Sequence, residues 1–231
     1  MSGLAGFEWF GAEHLLVLAL CALIISALCL AYRRLGARSK ARARVALGSA
    51  ILLCEIARII YYILIGSMSV YFLPLHLCGL AVFFCFYHSL RPSEAVGNLI
   101  YGTFMPGALC ALLMPDWTDY PIFCFRSVLG FLVHALLIAY PLMLVCGGAL
   151  RPNVKKLPQC FGILLCCAVP VYIFDRIFSA NYMYLLQPLE GTPLSFFTSL
   201  LGNPGYLLGY LPMLAAVWLV LNLQFLRTKN K

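Results

Sequence analysis

Residues 14–44 read HLLVLALCALIISALCLAYRRLGARSKARAR, an almost unbroken apolar run followed at once by a strongly basic segment. The apolar part is close to the roughly 20 residues that a helix needs to cross the hydrocarbon core of a bilayer. Basic segments next to a transmembrane helix are usually cytoplasmic. The stretch therefore predicts a membrane-spanning helix whose amino end lies outside the cell and whose carboxyl end is cytoplasmic.

The same composition continues along the whole chain. Of its 231 residues, 63% are hydrophobic and 10% are charged, and the mean hydropathy is +0.94. Such values exclude an ordinary soluble domain. Apolar stretches of spanning length lie at 14–32, 45–65, 71–90, 96–114, 127–146, 160–178 and 205–226. We expect an all-α protein, a single polytopic bundle of seven transmembrane helices over residues 1–231.

The basic residues support this topology. With seven spans, the connections at 33–44, 91–95 and 147–159 and the carboxyl-terminal tail all lie on one side, and they hold 13 of the 16 Lys and Arg residues. The positive-inside rule then places the amino terminus outside and the carboxyl terminus in the cytoplasm. Because the net charge of +8 follows this distribution, we expect no nucleic-acid partner. The short chain and compact loops are typical of a multi-pass protein of the bacterial cytoplasmic membrane.

The longest connection, residues 179–204, contains Pro, Gly and several Phe residues. It is too interrupted to cross the membrane, and its amphipathic character predicts an outer interfacial loop or lid.

Polar groups within the predicted spans are few, and a charge at mid-bilayer costs about 2.5 to 3.5 kcal/mol. Each one needs a partner, water or a function, and the candidates are Glu55, Arg58, His76, Cys78, Asn98, His134, Asp175 and Arg176. Glu55 and Arg58 are three residues apart on one helix and can pair, either as a staple between helices or as part of a site. Asp175 and Arg176 are expected near the outer interface, where the cost of a charge is lower.

Cys78 and His134 are the strongest candidates for chemistry. In the predicted topology Arg58, Cys78 and His134 each lie seven residues from the outer end of a span, a depth of roughly 10 Å. Pro74 favours a helix start, which would put His76 and Cys78 in or beside a first turn whose dipole favours a thiolate. His76 and Cys78 are about 200° apart on a regular helix, so a base must come from another helix. His134 is the candidate.

Three sequence elements carry a resemblance to a known family: LPLHLCGL at 73–80, FLVHALL at 131–137 and FSANYMYLLQP at 178–188. With them the chain resembles, over nearly its whole length, the YwaF-like integral membrane family, which is related to the transmembrane protein 164 acyltransferases. Within the third element, Asn181 and Tyr182 match the family pattern.

The resemblance implies acyl transfer between phospholipids and lysophospholipids through a cysteine thioester. Carried onto this sequence, it makes Cys78 the nucleophile and His134 the general base, with His76 as the other possible base. Arg58 or the amide groups at the start of the third helix would hold the oxyanion or the lipid phosphate, and His76 would orient the thiol or bind the head group. No cofactor is expected. No metal site is expected either, because too few ligands lie at one depth.

Two other functions fit the same residues. In a transporter or binding protein, the intramembrane polar cluster would line a substrate or proton path, and polar residues should then continue into the cytoplasmic half. Apart from Asn98 and His88, that half looks dry. In a structural scaffold, the same groups would only join helices.

Overall fold

A computed structural model describes residues 6–190 and 192–227, and within these ranges it contains helices and no strand. The principal helices are α1 (Ala12–Arg33), α2 (Ala37–Leu64), α3 (Leu77–Leu90), α4 (Glu94–Leu113), α5 (Phe125–Cys146), α6 (Leu157–Phe178), α7 (Pro193–Leu201) and α8 (Tyr210–Arg227). Short 3₁₀ turns occur in the connections, and α4 contains a π-helical turn over Ile100–Phe104.

Among the described residues, six helical segments are long and apolar enough to cross a membrane: Ala12–Arg33, Ala37–Leu64, Glu94–Leu113, Phe125–Cys146, Val154–Phe178 and Gly205–Leu223. The chain is therefore a multi-pass membrane protein. The remaining predicted span, 71–90, forms an α-helix only over the 14 residues Leu77–Leu90. Such a helix is about 21 Å long, shorter than the roughly 30 Å hydrocarbon core.

Pro74 explains the late start of α3. Its ring disfavours helical geometry in the residue before it, and Leu73 is extended, with φ −67° and ψ 152°. His76 is also extended and is the N-cap of α3. The expectation that the helix begins at Pro74 is therefore wrong by three residues. Its consequence, that His76 and Cys78 lie at the first turn, is confirmed.

The basic segment at 33–44 is also different from the expected loop. Only residues 34–36 separate α1 from α2, and α2 begins at Ala37 and runs for 28 residues. Alanine, arginine and lysine are all strong helix formers. Four of the six basic residues of this segment therefore lie on the first turns of α2, whereas Arg33 ends α1 and Arg34 lies in the connection.

The core lies between α2, α3, α4 and α5. Side chains without solvent exposure in this layer include Ile51, Ala81, Cys85, Ala108 and Ala139, and α1 packs along the outside of α5. The outward faces of α1, α6 and α8 carry exposed Leu, Ile and Val side chains, as expected for surfaces that contact lipid.

The bundle has two distinct ends. At the basic end, Lys40 donates a hydrogen bond to the Gly147 carbonyl and Arg44 donates one to the Ser89 carbonyl. The opposite end, which we call the site end, collects the carboxyl ends of α2 and α6 and the amino ends of α3 and α5, since residues from all four contact each other there.

Candidate functional site

The connection between α2 and α3, residues 65–76, is held at the site end from two sides. Arg58 on α2 donates a hydrogen bond from Nη2 to the Phe72 carbonyl at 2.9 Å. The Tyr182 hydroxyl accepts a hydrogen bond from the Leu73 amide at 2.9 Å and donates one to the Val70 carbonyl at 2.5 Å. These contacts fix the backbone that leads directly into Pro74, His76 and Cys78.

Glu55 and Arg58 form the ion pair that their spacing predicts. Two N–H groups of the guanidinium bond the two oxygens of the Glu55 carboxylate, at 3.0 Å for Nε and 2.5 Å for Nη2. The carboxylate is buried, whereas Arg58 is half-buried. The charge of Arg58 is therefore matched within the protein, and its third hydrogen bond goes to Phe72.

Asp175, Asn181 and Tyr182 build the turn that follows α6. The buried Asp175 carboxylate accepts a hydrogen bond from the Tyr182 amide through Oδ1 at 3.0 Å. The Asn181 side chain accepts from the Leu186 and Gln187 amides and donates to the Gln187 carbonyl. Asn181 and Tyr182 thus act on backbone groups, and Tyr182 positions the start of α3.

Arg176 lies apart from this network. Its side chain is exposed on the last turn of α6. The structure does not bring it to the residues that surround Cys78.

Cys78 is half-buried at the second residue of α3, and its Sγ has no hydrogen-bond partner among the described residues. The next residue, Gly79, packs directly on the preceding loop. A Cβ at this position would lie 2.5 Å from the Pro74 carbonyl oxygen and 2.7 Å from its Cα. The glycine therefore lets the Pro74 backbone close against the turn that carries the thiol.

His76 lies beside this turn, on the exposed side of the bundle. Its Nδ1 accepts a hydrogen bond from the Met183 amide at 3.4 Å. Its ring meets the Tyr182 ring edge to face, with centroids 4.7 Å apart. Apolar surroundings are the main cause that lowers the pKa of His76, while the carboxylate of Asp116 opposes the shift and Arg58 adds to it.

His134 lies on α5, three turns into the helix. Its Nδ1 is 2.7 Å from the Gly130 carbonyl oxygen. A carbonyl oxygen can only accept, so Nδ1 carries the proton and Nε2 carries the lone pair of the neutral ring. Among the described residues, Nε2 has no hydrogen-bond partner.

The sequence did not identify two residues of this site, Asp116 and Trp117. The Trp117 ring stacks on the His134 ring with centroids 5.4 Å apart. Gly130 has no side chain, and this leaves space for the Trp117 ring. Its Nε1 is buried without a partner among the described residues. Asp116 is exposed and lies close enough to interact electrostatically with His76, Cys78 and His134. An acidic residue beside a tryptophan in a short outer connection is the signal that could have identified them.

At the site end, Cys78, His76 and His134 therefore all lie within electrostatic range of Asp116. No hydrogen bond joins Cys78 to His134 in the described part of the chain, although α3 and α5 contact each other. Within residues 6–190 and 192–227, no group of three or more His, Cys, Asp or Glu side chains has the arrangement of a metal site. Beside the α2–α3 connection, Met68, Ser69, Val70 and Leu73 line an open depression of about 520 Å³.

Two further histidines, His14 and His88, are buried. His14 has no exposed surface, and its ring bonds the Phe10 amide and the Leu112 carbonyl. His88, at the basic end, lies 2.9 Å from the Tyr140 hydroxyl. Asn98, the other polar residue that the sequence places in this half, is buried and accepts a hydrogen bond from the Asn153 amide.

The sequence model of the TMEM164 family matches residues 9–222. This range contains α1 to α7, most of α8 and all three sequence elements that carry the resemblance. The chain belongs to the TMEM164 family. The YwaF-like resemblance is thereby confirmed. No curated protein and no solved structure matches the chain.

Membership of the TMEM164 family agrees with the apolar helical bundle. The matched range includes both the turn that carries Cys78 and the helix that carries His134.

Proposed function

We propose that this TMEM164-family protein is a membrane-embedded acyltransferase or transacylase. It moves a fatty acyl chain between phospholipids and lysophospholipids through a thioester on Cys78. The site end faces the outer leaflet in the topology that the basic residues predict, and there the ester carbonyls of a phospholipid lie just above the hydrocarbon.

The observation that carries the proposal is the hydrogen-bonding state of His134. Because the Gly130 carbonyl holds the Nδ1 proton, the basic lone pair is on Nε2, where no described residue occupies it. In His76 the situation is reversed, since Nδ1 accepts from the Met183 amide and the neutral ring then carries its proton on Nε2. These bonds favour His134 over His76 as the general base.

The reaction has two halves that balance. In the first, His134 Nε2 takes the proton from the Cys78 thiol, and Sγ attacks the ester carbonyl of a phospholipid. The ester C–O bond breaks, His134 returns the proton to the departing oxygen, and a lysophospholipid leaves. In the second, the hydroxyl of another lysophospholipid gives its proton to His134 and attacks the thioester. The thioester C–S bond then breaks, and His134 returns the proton to Sγ, so that Cys78 is regenerated as a thiol.

Cys78 needs this base. The amino end of α3 favours a negative charge, whereas the nearby carboxylate of Asp116 opposes a second one. A proton acceptor that acts only during the reaction resolves this conflict, because thiolate and imidazolium form together. The absence of a Cys78–His134 hydrogen bond among the described residues is compatible with a site that tightens when substrate binds.

The first-turn amides of α3 stabilise the oxyanion. The amides of Cys78 and Gly79 lie in the turn whose N–H groups have no partner within the helix, and such groups stabilise negative charge on an attacked carbonyl. Arg58 is less suited to this role, because Glu55 already engages two of its N–H groups.

The decisive experiment uses purified protein and a phospholipid with a labelled acyl chain. We expect a protein adduct that hydroxylamine removes, and its loss in Cys78→Ala. Cys110→Ala is the matched control, since Cys110 is the thiol close enough to Cys78 to interact with it electrostatically. An adduct and turnover that persist in Cys78→Ala would refute the thioester.

A second candidate function is transport, because buried polar residues also occur at the basic end, where His88 pairs with Tyr140. It predicts solute or proton flux in proteoliposomes that continues in Cys78→Ala. Acyl transfer without such flux would exclude it.

A further inference from the structure

Arg126, in the first turn of α5, is a half-buried cation without a matching anion in the described part of the chain. Its guanidinium also makes no hydrogen bond with the described residues. Arg58 on α2 provides the comparison, since its guanidinium is paired with Glu55. Cations in partly buried positions of membrane proteins are normally paired or functional. Arg126 therefore needs an explanation that Arg58 does not.

Aromatic rings hold the guanidinium of Arg126. Its Cζ lies 4.0 Å from the centroid of the Tyr120 ring and 6.0 Å from the centroids of Tyr62 and Phe72. Tyr62 and Phe72 are stacked, with centroids 4.2 Å apart and an interplanar angle of 16°. Cation–π contacts engage the flat face of a guanidinium and leave its N–H groups available.

The aromatic group is itself fixed in place. Phe72 belongs to the α2–α3 connection, whose carbonyl at this residue accepts the hydrogen bond from Arg58. A rigid planar cation with unused donors is suited to bind a phosphate through two parallel hydrogen bonds. The amino end of α5 favours an anion at the same point.

Arg126 is also aligned with the proposed base. Arg126, Gly130 and His134 are spaced four residues apart, so they follow one stripe along α5. Arg126 and His134 are separated by about 12 Å along the helix axis. A phospholipid has the same order of groups, with the phosphate in the head-group layer and the ester carbonyls deeper.

We propose that Arg126 binds the phosphate of the lipid whose ester reaches Cys78. This inference rests on the proposed function. It assigns the contact with the lipid phosphate to Arg126, whereas Arg58 was one of the groups that we expected to make that contact from the sequence. The ligand is the phosphate of a lipid head group rather than a free anion, because the aromatic rings that hold Arg126 lie at the site end of α5, the helix that carries the proposed base His134 deeper along its length.

The test compares two lipids that differ only by the phosphate: 1-oleoyl-glycerol-3-phosphate and 1-monooleoylglycerol. Binding is measured with Cys78→Ala protein in detergent, by native mass spectrometry or by thermal stabilisation. We expect Arg126→Gln in this background to weaken binding of the phosphate lipid about tenfold or more and to leave monooleoylglycerol binding unchanged. Arg126→Lys should lie between, since it keeps the charge without the planar pair of donors.

Arg91→Gln is the matched control, because it removes the same charge at the opposite end of the bundle. It should leave both lipids unaffected. Unchanged lipid discrimination in Arg126→Gln, or equal weakening of both lipids, would overturn the assignment. Stabilisation by inorganic phosphate equal to that by the phosphate lipid at the same concentration would overturn the lipid as the ligand.

Failure of this inference and failure of the proposed function are distinguishable. Binding by Cys78→Ala protein requires no thioester chemistry, so phosphate selectivity that depends on Arg126 would stand even if no acyl transfer occurred. Conversely, normal adduct formation with no effect of Arg126→Gln on lipid choice would overturn only the role of Arg126.

Discussion

Replacing Gly79 by alanine gives the sharpest test of how the thiol is positioned. An added Cβ would lie 2.5 Å from the Pro74 carbonyl oxygen, 2.6 Å from its carbonyl carbon and 2.7 Å from its Cα. All three atoms belong to the backbone, and the proline ring restricts its adjustment. The first turn of α3 must therefore separate from the α2–α3 connection.

The size of the displacement follows from these distances. Restoring an ordinary contact of 3.4 Å or more requires a movement of about 1 Å in a close-packed structure. Cys78 is the residue before Gly79, so Sγ moves with the turn. Misplacement of a reacting group by about 1 Å can lower a rate by about 100-fold.

The assay is the single-turnover rate of the hydroxylamine-sensitive adduct. Gly162→Ala is the matched control, because Gly162 lies in α6 with no atom within 4 Å of an added Cβ. Alanine is the better helix former by about 0.5 to 1 kcal/mol, so this control isolates helix propensity and should leave the rate unchanged. A Gly79→Ala rate within about threefold of the wild type would mean that the barrier changes by less than about 1 kcal/mol and would refute the reasoning.

Three further predictions concern the surroundings of the site. Tyr182→Phe removes the hydroxyl that bonds the backbone at residues 70 and 73 and should lower stability by about 1 to 3 kcal/mol in thermal unfolding, whereas Tyr172→Phe, on the exposed side of α6, should not. The pKa of His76 is lowered in the folded protein, so its contribution to stability is complete above about pH 6.5 and is lost as the pH falls through the folded pKa. His76→Gln should therefore flatten the dependence of the unfolding free energy on pH in this range. An unchanged dependence would contradict the shift. Gly130→Ala places a Cβ 3.2 Å from the Trp117 ring and should slow adduct formation by displacing the ring that stacks on His134; an unaltered rate would show that the stacking has no catalytic role.

Composition and charge predicted much of the fold, because both depend directly on whether a segment is surrounded by lipid or by water. The apolar runs locate all six described helices of spanning length, four of them within about three residues at both ends, while the helices that carry basic first turns begin six to eight residues earlier than predicted. The spacing of Glu55 and Arg58 predicted their ion pair, since residues three apart on a helix are neighbours. Such relations are local, and local geometry is available from the order of residues.

The depth calculated for Cys78 rests on an assumption that the structure contradicts. It assumed a regular rise of about 1.5 Å per residue from Tyr71, but the chain is not an α-helix before Leu77. Tyr182 shows a second limit. The motif that contains it was identified, yet its action on Leu73, 109 residues away, depends on how α6 and α3 meet.

The sequence by itself determined that this protein is a helical membrane protein of the TMEM164 type, with a thiol and an imidazole among the few polar groups of its apolar segments. Hydrophobicity is a property of each residue, so its sum along a segment needs no knowledge of neighbours. Tertiary structure alone decided that Asp116 lies near Cys78, and that Arg126 contacts the rings of Tyr62 and Phe72 with no anionic partner among the described residues. These facts depend on directional contacts between residues distant in sequence, and packing fixes such contacts only when the helices assemble.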